Sequence, residues 1–289
     1  MDNIRNMASI GIVGYGRVGK AVEYGFKNGN SILCYDKYPD SISLKKISSL
    51  EKVVKDSEFI FVCVPTPYRE GERGYPIIDL SIMDENIREI AGIARGSDRI
   101  VIIKSTVVPG TTRGYGKKYS NVNFCFNPEF LTEANYLEDF VNADRIVIGA
   151  DNERVSLRAT ALFRDRFPKT PIIRTNPTVA EFGKYTANCF LSAKVIFANE
   201  MYEGCERFGI SWEDVKKVVA SDKRIGESHL DVTSERGFGG KCFPKDVMSF
   251  IGLFKDIGID VSFLEAVWNK NLKIRKIRDW ESIPFVKSD

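Results

Sequence analysis

The residue with the clearest chemical potential is Cys242, in the stretch GFGGKCFPKD at residues 237–246. It follows a glycine-rich loop and precedes Pro244, a residue typical of the first turn of a helix. Unpaired N–H groups at a helix N-terminus favour the thiolate form of a cysteine, and Lys241 and Lys245 act in the same direction. A thiolate is a nucleophile, but most free cysteines are buried and inert. The local sequence leaves both interpretations open.

The residues around Cys242 suit a site that closes over a ligand. Gly237, Gly239 and Gly240 allow a backbone loop to approach a bound molecule closely. Asp246 falls in the first turn of the predicted helix, where a carboxylate acts as a base or caps the helix. The candidate site therefore extends to both sides of the cysteine.

Lys184 and Asn188 are four residues apart in the helical pattern of residues 178–208, which has much of its surface apolar. Their spacing places both side chains on one face of a helix. The lysine either extends its ammonium group to solvent or stands in a cleft as a donor to a developing oxyanion. From the pattern alone we expect the first, because it is the usual behaviour of lysine.

Further candidates lie near the ends of predicted strands, where ligands gather in open α/β sheets. Thr106, in KSTVVPGTT, either orients a water or cofactor or is a turn residue. Glu129 and Glu133, in NPEFLTEA, would share a face if that segment were a helix. They are equally plausible as general bases and as acids that favour a helix start.

A glycine-rich turn near the N-terminus indicates a dinucleotide site. Gly14, Gly16 and Gly19 form GxGxxG between a predicted strand and a predicted helix, which lets backbone N–H groups approach a pyrophosphate. Asp36 ends the next strand, about 20 residues beyond the first glycine, where an acid accepts from the ribose hydroxyls. An acid there repels a 2′-phosphate, so we predict NAD over NADP. The neighbouring Lys37 leaves some tolerance for NADP.

The composition excludes several classes of protein. The chain has 289 residues, 43% of them hydrophobic, and a net charge of +3, too small to indicate nucleic-acid binding. We find no secretory signal and no membrane segment, since the longest apolar run is Phe59 to Val64. Six cysteines without paired spacing predict reduced thiols in a cytoplasmic protein. A single histidine, His229, argues against a metal site, so we expect no bound metal.

Strand and helix patterns alternate from residue 8 to about 173, which predicts a mostly parallel sheet covered on both faces. After this region only helical patterns follow, including the long one. We therefore predict an α/β protein with a doubly wound, Rossmann-type sheet and an all-helical central domain. The boundaries are residues 1–175 for the NAD-binding domain, 176–280 for the helical domain and 281–289 for a frayed tail. The predicted strands are SIGIVG, SILCYD, FIFVCVPT, RIVIIKST, NVNFCFNPEF, RIVIGA and PIIRT.

Taken together, these motifs resemble the UDP-glucose/GDP-mannose dehydrogenase family. The resemblance covers roughly residues 8–275, and its last motif, around Cys242, separates this family from two-electron relatives. The motifs that carry it are GYGRVG, CVPTP, KSTVVPGTT, NPEFLTEA, EFGKYTANCFLSAKVIFANE, RIG and GFGGKCFPKD. The resemblance identifies Cys242 as the nucleophile.

The activity that the resemblance implies is a four-electron oxidation of a sugar-nucleotide C6 alcohol by two NAD in turn, most simply UDP-glucose to UDP-glucuronate. Thr106 and Asp246 hold the water network that takes the first proton. Cys242 adds to the aldehyde and carries first a thiohemiacetal and then a thioester. Lys184 and Asn188 stabilise the oxyanion, and Glu129 is the base for hydrolysis.

The resemblance also implies two sets of binding residues. The cofactor set is Gly14, Gly16, Arg17, Val18, Gly19, Asp36, Lys37, Pro65, Thr66, Thr106 and Glu133. The substrate set is Glu129, Phe130, Leu131, Lys184, Asn188, Arg224, Gly237, Phe238, Gly239, Gly240 and Cys242. Arg224 is expected to reach the sugar bound by the neighbouring subunit of a homodimer built on the long helix.

Two departures from the family pattern stand out. Family members carry a third, nucleotide-binding domain after the central helices, whereas this sequence ends at Asp289. We expect one of three explanations. A separate chain supplies the missing nucleotide site, or this short form binds its substrate more weakly or binds a different substrate, or the sequence is truncated. His229 also replaces an aromatic residue of several relatives, in a loop that could adjust sugar selectivity. It either contacts the substrate or lies on the surface.

Several alternative functions remain open. Other sugar-nucleotide substrates are GDP-mannose and UDP-N-acetylhexosamines. A two-electron dehydrogenase of the 3-hydroxyacid type has a similar nucleotide fold and Lys/Asn pair but does not need Cys242. A non-catalytic protein that binds NAD or a sugar nucleotide is the third class. The number of NADH formed per substrate distinguishes the three classes. A sugar-nucleotide 6-dehydrogenase forms two, a two-electron dehydrogenase forms one, and a binding protein forms none.

Overall fold

The computed structural model describes residues 7–40, 43, 46–284 and 286–288. Within these ranges the chain divides into two units. The first comprises Met1–Thr66 and Leu80–Lys184, and the second comprises Pro67–Asp79 and Tyr185–Asp289. The sequence-based boundaries at residues 175 and 280 stay predictions.

Nine strands and ten α-helices are defined in the described ranges. The strands are β1 (Ser9–Val13), β2 (Ser31–Tyr35), β3 (Phe59–Val62), β4 (Tyr68–Glu70), β5 (Pro76–Ile78), β6 (Ile100–Ile103), β7 (Asn123–Phe126), β8 (Ile146–Gly149) and β9 (Ile172–Thr175). The helices are α1 (Arg17–Phe26), α2 (Leu50–Lys55), α3 (Ser81–Ala94), α4 (Thr111–Lys118), α5 (Tyr136–Val141), α6 (Glu153–Arg166), α7 (Pro177–Phe208), α8 (Trp212–Ala220), α9 (Cys242–Asp256) and α10 (Ser262–Ile274).

The first unit is built on a seven-stranded sheet in the order β2-β1-β3-β6-β7-β8-β9. All neighbouring strands run parallel except β7 and β8, which pair antiparallel. The strands β3, β6 and β8 are buried along their whole length, which explains why they read as continuous apolar runs rather than alternating ones. The predicted strands and the mostly parallel, doubly covered sheet are confirmed.

Alternate residues of these strands supply two cores, one on each face of the sheet. Ile60 and Val62 pack with α2 and α3 on one face. Phe59 and Phe61 pack with α1 and α6 on the other. Because parallel strands end at one edge, the segments after β2, β3, β6 and β7 lie together at the carboxyl edge of the sheet.

The second unit contains helices and also a β-hairpin that the sequence patterns did not reveal. β4 and β5 pair antiparallel, with Tyr68 opposite Ile78. The N–H of Tyr68 donates to the carbonyl of Val286, and the N–H of Ser288 donates to the carbonyl of Tyr68. Trp280 and Val286 are buried. Part of the segment expected to be a frayed tail is therefore packed, while residues 285 and 289 lie outside the described part.

The long helix α7 has 32 residues. One stripe of its surface is apolar and exposed, consisting of Phe190, Phe197, Met201 and Phe208. Within the described ranges, none of the helices combines the length and the apolar character needed to cross a bilayer.

Candidate active site

The turn between β1 and α1 has the geometry that a pyrophosphate site requires. Gly14 has φ 90°, and its N–H donates to the carbonyl of Tyr35 over 2.9 Å. A Cβ at Gly19 would collide with the carbonyl oxygen of Gly14. Gly16 caps the start of α1, with open space where a Cβ would point. The backbone here can approach a ligand at the N-terminus of a helix.

Asp36, directly after β2, is joined to this turn. Its Oδ2 accepts from the N–H of Tyr15 over 2.6 Å, and its Oδ1 accepts from the N–H of Tyr38 over 2.8 Å. The carboxylate is therefore held beside the glycine turn, as the NAD interpretation requires. The nearby Lys37 is exposed, and its Nζ lies 3.1 Å from a carboxylate oxygen of Glu85. The charge of Glu85 offsets the positive charge of Lys37, which would otherwise suit the 2′-phosphate of NADP.

Other predicted cofactor residues lie on the same unit. Thr66 Oγ1 donates to the carbonyl of Thr106 over 2.7 Å and so joins the segments after β3 and β6. Arg17 and Glu133 form an exposed ion pair at 3.1 Å, of a kind that contributes little to stability. Pro65 is exposed and Val18 is half-buried. The residues of this edge fit NAD.

Glu129 and Lys184 form a buried ion pair, in which Nζ lies 3.2 Å from Oε1. Lys184 is 3% exposed, so the expectation that it extends to solvent is wrong. The helix considered for Glu129 and Glu133 is also absent, because α5 begins only at Tyr136. Glu129 keeps only 9% of its side chain exposed while Glu133 pairs at the surface, so the two acids do not share a face.

The electrostatics of this pair favour an ionised Glu129. Burial alone would raise the pKa of its carboxyl, but Lys184, the N–H of Leu131 and Lys104 outweigh it and hold the pKa below its usual value. The N–H of Leu131 donates to Oε2 over 2.7 Å. The ring of Phe130 lies under the Lys184 ammonium group, with 5.3 Å between Nζ and the ring centroid.

Lys104 is a buried residue that sequence reasoning missed. Its Nζ donates to Oδ1 of Asn127 over 2.8 Å and to the Asn127 carbonyl over 3.3 Å. Asn127 in turn donates to the carbonyl of Val147. Burial lowers the pKa of Lys104 to about 8. The signal was available, since a lysine directly after the apolar run IVII lies at the ligand-gathering edge of the sheet.

Glu181 was also missed. It is fully buried on α7 and accepts from the N–H groups of Gly110 over 2.5 Å and Thr112 over 2.8 Å. These groups begin α4, so the carboxylate satisfies N–H groups that the helix leaves unpaired. Burial raises the pKa of Glu181 although both N–H groups act against the rise. The bonds attach the segment after Thr106 to the helix that carries Lys184.

In the second unit, Asp246 is buried between two donors. Nδ2 of Asn188 donates to Oδ2 over 2.5 Å, and Nζ of Lys245 donates to Oδ1 over 2.5 Å. Asn188 is 5% exposed and Asp246 is 0% exposed. The structure thus joins two of the predicted catalytic residues directly. A carboxylate in this position orients the amide of Asn188.

Cys242 is the first residue of α9, two residues earlier than Pro244 suggested. A proline is tolerated in this first turn because the missing N–H has no partner within the helix. Cys242 is partly exposed, and none of the six cysteines forms a disulfide in the described part of the chain. Its place at a helix N-terminus, before Lys245, favours the thiolate.

Two of the glycines before Cys242 lie against side chains of the protein itself. Gly237 has φ 51°, and a Cβ there would collide with Oδ1 of Asn271. At Gly239 a Cβ would collide with Asp279. The positive φ of Gly237 and its contact with Asn271 already favour glycine there, and a side chain at Gly239 would displace Asp279; the ligand approach inferred from the sequence stays a prediction. Phe238 between them is buried.

The remaining substrate candidates lie in the loop after α8. Arg224 is exposed, and its guanidinium lies 2.6 Å from the carboxylate of Asp222. His229 has φ 65°, is half-buried, and lies 5.6 Å from Phe243 between ring centroids. Burial and the nearby Lys194 lower the pKa of His229. The histidine is thus packed beside the neighbour of Cys242 rather than extended at the surface.

Comparison with known domains matches the two halves of the chain to one family. The NAD binding domain of the UDP-glucose/GDP-mannose dehydrogenase family matches residues 39–166, and the central domain of that family matches residues 178–273. The NAD prediction is thereby confirmed, although the glycine turn and Asp36 precede the matched range.

Individual relatives agree with this match. The UDP-glucose 6-dehydrogenase of Rickettsia bellii is 36% identical over 236 residues, which cover 79% of this chain and 52% of that protein. The solved structure of a UDP-glucose dehydrogenase from Pyrobaculum islandicum has a TM-score of 0.82 at 31% identity, covering 94% of this chain and 70% of that one. The chain spans about half the length of the curated relatives it matches.

A more distant neighbour shares the fold alone. The 3-hydroxyisobutyrate dehydrogenase of Mycobacterium tuberculosis has a TM-score of 0.72 at 15% identity, covering 92% of this chain and 93% of that one. Fold similarity at this level does not separate four-electron from two-electron chemistry, so the distinction depends on the site residues.

Proposed function

This chain belongs to the UDP-glucose/GDP-mannose dehydrogenase family, and we propose that it oxidises the C6 alcohol of a sugar nucleotide to a carboxylate with NAD. UDP-glucose is the first candidate substrate, because the relatives from Rickettsia bellii and Pyrobaculum islandicum described above are named for it. The proposal assigns Cys242 as the nucleophile and Lys184, Asn188 and Asp246 as the polar residues that assist it.

The observation that carries this proposal is the position of Cys242 at the start of α9. A dehydrogenase that stops at a two-electron product needs no nucleophile. An enzyme that continues to the acid must hold the aldehyde, and a thiolate does so covalently. Asp246, one turn further along α9, accepts a hydrogen bond from Asn188 on α7, so the helix that carries the thiol also carries one member of an ordered polar pair.

Bound NAD supplies the oxidising power: two NAD in turn each accept one hydride, so that one alcohol and one water give one carboxylate, two NADH and three protons. In the proposed sequence, Thr106 and Asp246 assist loss of the hydroxyl proton. The Cys242 thiolate adds to the aldehyde carbon to give a thiohemiacetal. Its oxidation leaves a thioester, and hydrolysis breaks the C–S bond and returns the thiol.

The environments of the charged residues support the roles proposed for them. Lys184 is buried beside a carboxylate partner, so its side chain is oriented before substrate arrives, as oxyanion stabilisation requires. Asn188 is fixed by Asp246 and adds a second donor. Glu129 is proposed to serve the hydrolytic step, although its lowered pKa makes it a weak base.

The decisive experiment is the number of NADH formed per UDP-glucose, with the product identified by mass. We expect two NADH and a uronate. Cys242→Ser should abolish acid formation and leave NAD affinity unchanged, whereas Cys205→Ser, a buried cysteine remote in sequence from the motif, should behave as the native protein. One NADH per substrate, or unchanged turnover in Cys242→Ser, would contradict the thiol mechanism.

A substrate panel separates the remaining alternatives. GDP-mannose and UDP-N-acetylhexosamines test other sugar nucleotides, and 3-hydroxyisobutyrate tests the two-electron class. Bound NAD without turnover on any of them would contradict the enzyme proposal and favour a protein that only binds these ligands. Activity restored by an added nucleotide-binding chain would support the separate-chain hypothesis.

We also propose that the protein forms a homodimer through α7. Four large apolar side chains lie along one stripe of this helix, and Phe190 and Phe208 are 68% and 82% exposed. An exposed apolar stripe of this kind is typical of a subunit interface. Arg224, whose side chain is 90% exposed, could then serve a neighbouring subunit.

Sedimentation tests the dimer directly. Phe197→Glu should convert a dimer to a monomer, while Val218→Glu, at an exposed apolar position on α8, should not. A native protein that sediments as a monomer at micromolar concentration would contradict the proposal and remove the role of Arg224.

A further inference from the structure

The loop that leads to Cys242 is held by side chains from the C-terminal part of the second unit. Three residues make these contacts: Asn271 on α10, Arg275 just after it, and Asp279 in a short 3-10 helix. We call these three residues the C-terminal clamp. Arg275 and Asp279 lie beyond residue 273, where the match to the family's central domain ends.

Asn271 is fully buried and uses both ends of its amide on one loop residue. Its Oδ1 accepts from the N–H of Phe238 over 2.8 Å, and its Nδ2 donates to the carbonyl of Phe238 over 3.1 Å. This pair of bonds fixes the peptide groups on both sides of Phe238. The contact with Gly237 is so close that a larger residue there would displace Asn271.

Asp279 and Arg275 hold the next part of the loop. Oδ2 of Asp279 accepts from the N–H of Gly240 over 3.0 Å, and its Oδ1 lies 3.3 Å from Nη2 of Arg275. Nη1 of Arg275 donates to the carbonyl of Arg236 over 3.1 Å. Arg236 itself has φ 61°, a conformation that costs a non-glycine residue about 1–2 kcal/mol and so needs such support.

Aromatic packing joins the same two segments. Phe238 lies 6.1 Å from Trp268 between ring centroids, and Trp268 lies 5.6 Å from Trp280. On its other side Phe238 lies 6.1 Å from Phe243, the residue after Cys242. The loop is therefore fixed through hydrogen bonds and through packing, up to the first turn of α9.

We propose that the C-terminal clamp positions the Cys242 thiol at the N-terminus of α9 and is required for its reactivity. Asn271, Arg275 and Asp279 are positioning residues that act through the loop backbone. The proposal rests on the proposed function in assigning Cys242 as the nucleophile. Its physical basis is that a displacement of about 1 Å at a reacting atom lowers a rate by about 100-fold.

The first test compares Asn271→Leu with Val267→Ala. Both change a buried residue of α10, but only Asn271 bonds the loop. Asn271→Leu should increase hydrogen exchange of the Phe238 N–H at least tenfold, because this N–H loses its acceptor, whereas the Gly237 N–H donates to Asn199 and the Gly240 N–H donates to Asp279. Val267→Ala should leave that exchange unchanged when the two variants are compared under conditions in which their thermal stabilities are equal.

The second test reads the thiol itself through the pH profile of Cys242 alkylation by iodoacetamide, with the labelled peptide identified by mass. A thiolate that loses its helix N-terminal N–H groups has a higher pKa. The alkylation midpoint in Asn271→Leu should rise by about half a pH unit or more, the scale of a helix-terminus interaction. Turnover should fall about 100-fold with NAD affinity within twofold of native.

A matched pair at Asp279 covers the case in which Asn271→Leu does not fold. Asp279 is 35% exposed, so substitutions there are tolerated more easily. Asp279→Asn and Asp279→Ala remove the same charge, but only the first keeps an oxygen acceptor for Gly240. Asp279→Ala should show the raised midpoint and Asp279→Asn should not.

Neither exchange nor alkylation requires turnover, so the two proposals fail separately. A raised midpoint in a protein with no turnover would contradict the proposed function and leave the clamp supported. The clamp proposal would be overturned by two results together. Asn271→Leu would show the same hydrogen exchange and alkylation as Val267→Ala, and both Asp279 variants would show the alkylation midpoint of the native protein.

Discussion

Removing the ammonium group of Lys184 tests whether Glu129 depends on it. The two groups lie 3.2 Å apart, and both side chains are at most 9% exposed, so Lys184→Met leaves a buried carboxylate without its nearest cation. Breaking a buried pair from one side costs roughly 3–5 kcal/mol. Lys104 also acts on Glu129 and remains, so we expect about 3 kcal/mol, or a melting temperature lower by roughly 6–12 °C.

Lys184→Met also reverses the pH dependence of the contribution that Glu129 makes to stability. In the native protein the pKa of Glu129 is lowered, so its stabilising contribution is complete at neutral pH and is lost only as the pH falls through that lowered pKa. Without Lys184, burial dominates and raises the pKa, so the folded variant binds a proton that the unfolded chain does not. Lys184→Met should therefore regain part of its lost stability between about pH 7 and about pH 5.

The assay must report the first unit. All three tryptophans lie in the second unit, so their emission serves as an internal comparison, while far-UV circular dichroism follows both units. Hydrogen exchange of residues 123–131 reports the segment that carries Glu129. We expect faster exchange in this segment at pH 7 than at pH 5, after correction for the intrinsic rates.

A double-mutant cycle provides the refuting result. Lys184→Met with Glu129→Gln should lose about 2 kcal/mol less than the sum of the single variants, because neither charge is left alone. Additive losses, or a loss in Lys184→Met that does not change with pH, would refute the argument that the pair stabilises both partners.

Three further predictions concern the first unit. Asp36→Ala should weaken NAD binding by roughly 10- to 100-fold, the value of a hydrogen bond to a charged group, and NADP binding much less; equal losses in a calorimetric titration would contradict the ribose assignment. The pKa of Lys104 is lowered to about 8, so the folded protein releases its proton before the unfolded chain, and urea stability should rise by roughly 2–3 kcal/mol between about pH 8 and about pH 10. Lys104→Met should lack this rise. Glu181→Ala should lose about 2 kcal/mol because two buried N–H groups lose their acceptor, and Glu181→Gln should lose less; equal melting temperatures would show that the N–H groups find other partners.

The regular parts of the fold could be predicted from the sequence because their signals are local. Buried parallel strands such as β3 and β6 read as apolar runs, and the spacing within α7 is helical over its whole length. The hairpin β4–β5 was missed since its strands have three residues each, and one of them, YRE, is mostly polar. Strands this short have no alternation to detect.

The site was predictable in its residue types but not in its environments. Cys242, Asp246 and Lys184 were found from their motifs. That Lys184 is buried depends on Glu129, which lies far away in sequence and approaches only when β7 and α7 pack. The same holds for Asn271 and Gly237, because the glycine is explained by a helix that follows it in the chain. Local sequence cannot distinguish a glycine required by a ligand from one required by a side chain.

The buried pair also decides what each partner can do in the proposed reaction. A lysine that stabilises an oxyanion must be charged and fixed beforehand, whereas burial alone lowers the pKa of a lysine, as Lys104 shows with a value of about 8. At Lys184 the carboxylate of Glu129 lies 3.2 Å from Nζ. Their attraction lowers the pKa of Glu129 and so weakens it as a base. The proposed part of Glu129 in hydrolysis therefore depends on a weakly basic carboxylate, while the same ion pair orients Lys184 and explains why a lysine is buried on an apolar helix.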